Sequence, residues 1–390
     1  MIDLTNEKEL ANGYGGSEAK KTILYNDKIY MVKFPDPVRG SKIKEISYIN
    51  NQFSEDIGCK IFKSVGINAQ NTFLATYTEK SGKQKIVVAC EDFCIPNNAA
   101  LKEFRNLALA ITDSSSNVST SLEFIHEVLQ NSAIIENKEE FENQFWDMFV
   151  VDALIGNRDR HLGNFGLLVG NEKSSFSPIY DCGSALSPLL SDEDMKNISN
   201  KTGEFIAKEY NISSVFKYQG KRVFYHEIFN HPPKELINAI YRIVPWIDLN
   251  NINKIIYDTE CMSHIRKEYI FQSVNMRYNK IIKPAYKKLI QTQQSEEIQN
   301  IKQNKFLDAY NIAQKIYNFD SSLQFMKDII KYRGTNTQAL HDAVYAVTEA
   351  ESESMEFAAK LLNDTLKTKE YRKAFEAQQE NAEANAKNIG

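Results

Sequence analysis

The segment Gly156-Asn157-Arg158-Asp159-Arg160-His161-Leu162-Gly163-Asn164, with Asp181 of Tyr180-Asp181-Cys182-Gly183 seventeen residues after Asn164, constrains this chain more than any other feature. A carboxylate, an amide five residues later and a second carboxylate beyond a short hairpin are useful together only if the fold brings them to one place. They are the groups phosphoryl transfer needs: Asp159 to accept or orient the proton of an attacking hydroxyl, and Asn164 and Asp181 as hard oxygen ligands for Mg²⁺ on the phosphates of a nucleotide. Asp-x-x-x-x-Asn alone arises about once by chance in a chain of this length, whereas Asp-Arg-His-x-x-Asn does so in only about 0.2% of such chains. A surface turn capping the preceding helix is the plainer account of an Asp/Asn-rich segment. It leaves Asp181 without a reason.

The rest of the chain has to be large enough to hold such a site. At 390 residues, 42% hydrophobic and 25% charged, it can bury one large or two ordinary cores, which excludes a disordered chain or a fibre. Lys and Arg number 47 against 51 Asp and Glu, a net charge of −4, so no basic excess points to nucleic acid or an anionic membrane. Met1-Ile2-Asp3-Leu4-Thr5-Asn6-Glu7 has neither the cationic nor the apolar region of a secretion signal. No run approaches the roughly 18 apolar residues of a membrane span. A cytoplasmic location is expected, with export by a non-classical route left open. The five cysteines, Cys59, Cys90, Cys94, Cys182 and Cys261, form no CxxC pair, so reduced thiols are expected and zinc is not.

Residues 1–93 read as β-rich, because β-branched and aromatic runs are punctuated by turn residues. One hairpin is expected at 22–25 and 29–34 around Asn26-Asp27, and another at 71–78 and 85–90 around Ser81-Gly82. Between them, residues 41–65 repeat apolar positions at helical spacing (Ile46, Ile49, Phe53, Ile57, Ile61) and stop at Gly66. One helix on a mostly antiparallel sheet follows. From about residue 97 to 290 the pattern turns helical, strongest at 139–155 and 233–244, with short β-like runs at 165–169 and 176–180 and an exposed loop at 113–117. The Gln- and Asn-rich residues 291–304 read as a linker. Residues 305–390 read as an all-helical extension, whose acidic end is most simply a solvated face.

The β-rich part offers the other half of a nucleotide site. Asn12-Gly13-Tyr14-Gly15-Gly16-Ser17 precedes the first hairpin, where Gly13, Gly15 and Gly16 would let backbone N–H groups approach phosphates. A plain N-terminal turn explains the same glycines equally well. Lys33 sits on the following strand and Glu45 early in the expected helix, a pairing suited to holding an ammonium against phosphates. A lone strand lysine is ordinarily a solvated edge charge. The downstream Asp159 motif favours the functional reading here.

These residues carry a resemblance. Residues 30–35 (YMVKFP), 44–48 (KEISY), 87–93 (VVACEDF), 145–150 (FWDMFV), 159–164 (DRHLGN) and 178–184 (PIYDCGS) resemble the HipA-like Ser/Thr protein kinases, and among them the short, cell-translocating kinase A branch. The likeness covers residues 10–285 in order and at matching spacing. It implies an α+β, bilobal protein-kinase-like fold, with a small antiparallel β-rich lobe at 1–93 carrying one helix, a larger helical lobe at 94–290 and the helical extension beyond. It implies Mg²⁺/ATP-dependent transfer to Ser or Thr hydroxyls of a protein substrate. By position it assigns phosphate contacts to the glycine loop and Lys33, with Glu45 as its partner, and adenine contacts to Glu91, Asp92 and Phe93. Asp159 becomes the catalytic aspartate, and Asn164 and Asp181 the metal ligands. It also implies self-phosphorylation near the phosphate loop, where Ser17 is the serine at hand. The glycine loop begins by residue 13, so the long N-terminal subdomain of the HipA toxins has no counterpart and an antitoxin partner is not expected. A phosphoinositide-type lipid kinase shares the DRHxxN and Asp-x-Gly pattern but not the match at 30–35 and 87–93. A catalytically dead nucleotide-binding scaffold would be expected to have lost at least one of Lys33, Glu45, Asp159, Asn164 and Asp181.

Overall fold

Turn chemistry sets the first layer of the structure, a computed structural model that describes residues 1–11, 19–35, 50–112, 118–170 and 174–300, with side chains to 292. Strands β1 (Ile2–Asp3), β2 (Lys8–Leu10), β3 (Lys20–Tyr25) and β4 (Lys28–Lys33) are followed by helix α1 (Asn51–Ser64), then β5 (Thr72–Thr78) and β6 (Gln84–Glu91). Asn26 and Asp27 both adopt positive φ, 48° and 58°, which gives the β3–β4 hairpin a turn whose twist matches its strands. The six strands form one sheet in the order β1-β5-β6-β4-β3-β2. All pairs are antiparallel except β1 with β5, where Ile2 lies beside Ala75 in parallel. That exception was not foreseen, since two residues give no alternation to read.

Side chains alternate across the sheet. Tyr30, Val32, Val87 and Ala89 join Leu4, Ile23, Phe34 and Ala75 in a core on one face. Lys33 and Val88, adjacent in register, therefore point to the other, where α1 packs. α1 buries Phe53, Ile57, Ile61 and Phe62 as its apolar stripe requires, and it also buries Asn51, Gln52, Ser54, Glu55 and Asp56. Its described start is Asn51 rather than the expected residue 41. Residues 36–49, Glu45 among them, lie outside the described residues, as do Gly13, Gly15, Gly16 and Ser17 and the expected loop at 113–117.

The chain then becomes mainly helical, but not at once. Strand β7 (Ala100–Glu103) precedes α2 (Phe104–Ile111), α3 (Leu122–Asn131) and α4 (Lys138–Ile155), and pairs with β8 (Gly166–Val169), which pairs with β9 (Ser174–Phe176). β7 was expected to be helical. Its pairing to residues more than sixty positions away is invisible to local periodicity. At Gly166 a Cβ would stand 2.2 Å from the Lys102 carbonyl oxygen, so β7 and β8 approach this closely only over a glycine. α4 opens on Asn137, whose side chain accepts the Glu140 N–H, and closes on Gly156 at φ 67°. Phe145 and Phe149 of α4 pack with Phe165, Phe216 and Tyr225.

Helices α5 (Asp192–Ser199) and α6 (Thr202–Tyr210), the hairpin β10 (Ser213–Tyr218) and β11 (Lys221–Phe224), and helices α7 (Tyr225–Asn230), α8 (Lys234–Ile243), α9 (Leu249–Tyr257), α10 (His264–Arg277) and α11 (Lys283–Asn300) complete the description. α8 packs along α4, and α9 against α1. The chain divides into two compact units, Met1–Tyr286 and Lys287–Gly390. Residues 291–300, expected as linker, are helical, because Gln, Glu and Lys sustain a helix whatever their polarity. Residues 305–390 lie outside the described residues. Among the described residues no helix is long and apolar enough to cross a membrane.

Candidate active site

Three elements of the first unit meet at Lys33. Its Nζ, on the last residue of β4, lies 3.3 Å from Glu55 Oε1 of α1 and 3.1 Å from Asp181 Oδ1. The Glu55 side chain is only 1% exposed, and the same Oε1 accepts the Asp181 N–H at 3.0 Å. One carboxylate thus fixes both the lysine and the backbone of the residue beside it. Asp181 is held at φ 58°, a conformation that a non-glycine residue keeps only where its surroundings enforce it. Burial works against ionising its carboxyl, but the charge and hydrogen bond of Lys33, with Arg160 and His161 beyond, hold its pKa below the ordinary carboxylate value.

Among the described residues the helix carboxylate set against Lys33 is Glu55; Glu45, the expected partner, lies outside the described residues. Glu55 was overlooked because a Glu among Asn, Gln, Ser and Asp reads as the wet side of a helix. The clue was Gly58 one turn later: a Cβ there would stand 2.6 Å from the Cys182 Cβ, so this part of α1 lies directly on the Asp181 segment.

Asp159 and Asn164 are brought together by the turn between α4 and β8. Asp159 is exposed; its N–H donates to Asn157 Oδ1 at 3.1 Å, and its carbonyl accepts from His161 N and from Asn164 Nδ2, each at 2.8 Å. Only the nitrogen of an amide can donate to a carbonyl, so that last bond orients the Asn164 side chain and leaves Oδ1 as its free oxygen. An amide oxygen from Asn164 and a carboxylate from Asp181 are hard donors, and a pair of protein ligands completed by phosphate and water is how Mg²⁺ is ordinarily held in nucleotide sites. The donor set fits the ion.

A layer of buried polar groups lies behind this loop. Asp152, one turn from the end of α4 and 1% exposed, accepts from Arg160 Nε at 2.9 Å, Arg160 Nη2 at 3.0 Å and Asn157 Nδ2 at 2.9 Å. Arg160 also donates to the carbonyls of Asn164, at 3.0 Å, and Tyr180. Tyr225 Oη donates to the Asn157 carbonyl at 2.7 Å. Asp152 carried a signal that went unread: it is the one charged residue in Phe149-Val150-Val151-Asp152-Ala153-Leu154-Ile155, where a lone charge has to find a partner.

The three residues expected at the adenine have different surroundings. Glu91 is bound up with its neighbours: its carboxylate meets Lys28 at 2.9 Å and Asn71 Nδ2 at 3.2 Å, and its carbonyl accepts from Gln70 Nε2 at 2.9 Å. Asp92 Oδ1 accepts the N–H groups of Cys94 and Ile95 at 2.8 and 3.0 Å. The Phe93 ring centroid lies 5.9 Å from that of Tyr180, whose hydroxyl donates to the Gly163 carbonyl at 2.9 Å. The glycine loop lies outside the described residues; on either side of it, Leu10 of β2 pairs with Thr22 of β3. Cys182 is fully buried, in keeping with a core residue rather than a reagent-accessible thiol.

A six-stranded sheet with a helix packed on it, a strand lysine bridged to a helix glutamate, and an Asp-x-x-x-x-Asn turn tied through Arg160 to the segment of a second aspartate together define a kinase-like class of protein. The HipA-like C-terminal domain matches residues 13–214, and the chain belongs to that family. It is 37% identical over 286 residues to the serine/threonine-protein kinase CtkA of Helicobacter pylori, covering 72% of this chain and 85% of the relative. The crystal structure of the Helicobacter pylori proinflammatory kinase CtkA superposes with a TM-score of 0.67 at 34% identity, covering 74% of this chain and 98% of the other. A Shewanella oneidensis HipA, solved with HipB and operator DNA, matches at a TM-score of 0.41 and 13% identity over 70% of this chain and 67% of that one.

Proposed function

We propose that this chain is a Mg²⁺- and ATP-dependent serine/threonine protein kinase of bilobal form, with the site between the β-rich residues 1–93 and the helical residues that follow. The observation that carries the reading is Lys33 Nζ, held between Glu55 and Asp181 at 3.3 and 3.1 Å. An ammonium so placed has its direction fixed by Glu55 before any phosphate arrives, so little reorganisation is left for the reaction itself.

Asn164 Oδ1 and the Asp181 carboxylate would hold Mg²⁺, which neutralises charge on the phosphates when bound. Lys33 would meet the phosphate oxygens beside it. Asp159, exposed at the mouth of the loop, would accept a hydrogen bond from the acceptor hydroxyl and orient it for in-line attack. The rings of Phe93 and Tyr180 would supply an apolar wall for the base. Ser17, beside Gly15 and Gly16, is a candidate for self-phosphorylation; a phosphate there adds about 1.5 to 2 negative charges where the nucleotide phosphates should lie and would oppose their binding.

The deciding experiment is incubation of the full chain with Mg²⁺, labelled ATP and separate protein and lipid pools, with Asp159→Asn as control. Label on Ser or Thr of protein, lost in the control, is the expected result. Label in lipid alone would mean a lipid kinase, and nucleotide binding with no label anywhere would mean a scaffold. Peptide mapping of the same sample locates any phosphate on the chain, and an unmodified Ser17 removes the self-phosphorylation reading.

A further inference from the structure

Arg160 makes five polar contacts beside the site, all of them to the chain itself. Its side chain is fully buried. One edge of the guanidinium grips both oxygens of Asp152, Nε to Oδ2 at 2.9 Å and Nη2 to Oδ1 at 3.0 Å. On the other side, Nη1 donates to the main-chain carbonyl of Asn164 at 3.0 Å and to that of Tyr180, while Nη2 also reaches Cys182 Sγ at 3.5 Å. Three stretches of chain therefore meet on one plane: the end of α4, the turn that carries Asp159 and Asn164, and the residues on either side of Asp181.

A buried ion pair that simply ties the turn to α4 would need only the Asp152 edge. The second edge goes to the backbone of Asn164 and to the immediate neighbours of Asp181, the two residues read above as metal ligands. A guanidinium is flat, with its N–H directions fixed, so two carbonyls bonded to the same Nη1 have their separation set by the group and not by their own loops. Asp181 needs such support, because its positive φ is intrinsically unfavourable. Glu55 of α1 fixes its N–H, and Arg160 bonds to the residues before and after it.

We propose that Arg160 is a positioning residue that sets the spacing of the two metal ligands, Asn164 and Asp181, with Asp152 as its anchor. The inference rests on the reading of those two residues as Mg²⁺ ligands. Lysine at position 160 keeps the charge but offers a single point in place of a fork, and asparagine at 152 keeps the volume but loses the anchoring charge. Both should loosen the ligand pair before they disturb nucleotide contacts elsewhere.

The test is equilibrium binding of ATP to the full chain with Mg²⁺ present and with Mg²⁺ removed by EDTA, for the wild type, Arg160→Lys, Asp152→Asn and Asp181→Asn, with the Mg²⁺ dependence of turnover and a metal-free melting temperature measured alongside. In Arg160→Lys and Asp152→Asn, the tightening of ATP binding by Mg²⁺ should fall about tenfold and the Mg²⁺ midpoint of turnover should rise by a similar factor. Binding in EDTA and the KM for the acceptor protein should stay near wild type. A role confined to stability would lower the melting temperature and the active fraction and leave the Mg²⁺ midpoint alone, and a folded variant with that behaviour overturns the proposal. Failure of both variants to fold overturns it too, since the pair would then be a folding element. If Asp181→Asn also keeps the wild-type Mg²⁺ dependence, the fault lies in the metal-ligand reading on which the proposal stands.

Discussion

At the scale of single residues, Asp159 and Asp181 have different surroundings, and their removal should fail in different ways. Asp159 is exposed and is proposed to orient the acceptor hydroxyl, so Asp159→Asn should cut turnover by about 10²-fold or more while ATP binding in Mg²⁺ stays near wild type. Asp181 is tied to Lys33, and Asp181→Asn should weaken Mg²⁺-dependent nucleotide binding as well; equal, unimpaired affinity in both variants would remove Asp181 from the ligand set. Lys33→Ala and Glu55→Gln should share one loss, because the carboxylate acts through the ammonium, and the double variant should be little slower than Lys33→Ala alone. Losses that multiply would show the two to be independent. The depressed pKa of Asp181 has a pH consequence with a definite sign. Its folded value lies below the unfolded one, so the stability it contributes is complete above the ordinary carboxylate value and is lost only as pH falls through the lower, folded value. Mild acid near pH 5 should therefore leave Asp181 charged, and a carboxylate titration by NMR that finds it protonated there would contradict the Lys33 contact.

At the scale of elements, the sequence was legible wherever the signal was local. Asn26-Asp27 marked the β3–β4 turn, and the end of α4 at Gly156 closed an apolar periodic run. The DRHxxN turn was found because its residues are adjacent. What was not legible depended on partners far apart in the chain: β1 beside β5, β7 beside β8, and Glu55 beneath Lys33. In each case a short or polar stretch takes its structure from a contact that no window of sequence contains. The approach of α1 to the Asp181 segment is of the same kind, and it reverses an expectation from propensity. In an exposed helix Gly→Ala is favourable by about 1 kcal/mol, yet at Gly58 the new Cβ would fall 2.6 Å from the Cys182 Cβ and 3.3 Å from its Sγ. Overpacking of this sort costs about 1–3 kcal/mol. Gly58→Ala should accordingly lower the melting temperature by a few degrees and slow phosphoryl transfer by moving Glu55, and Cys182→Gly in the same chain should restore part of both. A Gly58→Ala variant that is more stable and fully active would show that α1 does not sit against the Asp181 segment.

At the scale of the whole molecule, every residue assigned to the chemistry lies before Ser184, and the elements that hold them, from β1 to α10, belong to the unit Met1–Tyr286. α9 packs on α1, so the helix carrying Glu55 is supported from within that unit. The Helicobacter kinase structure is matched over 98% of its length by 74% of this chain, which leaves about a quarter of the present sequence outside a fold that already stands complete in a relative. Residues beyond α11 are then most simply a targeting or partner-binding addition, although a brace or control element for the kinase is the competing role. A chain ending after Asn300 separates them. It should phosphorylate a generic protein substrate within about twofold of the full-length rate and melt at a similar temperature, because no group assigned to nucleotide, metal or acceptor is removed. If the shortened chain is soluble and folded but inactive, the last 90 residues take part in catalysis or its control, and the boundary at Tyr286 divides the chain without dividing its function.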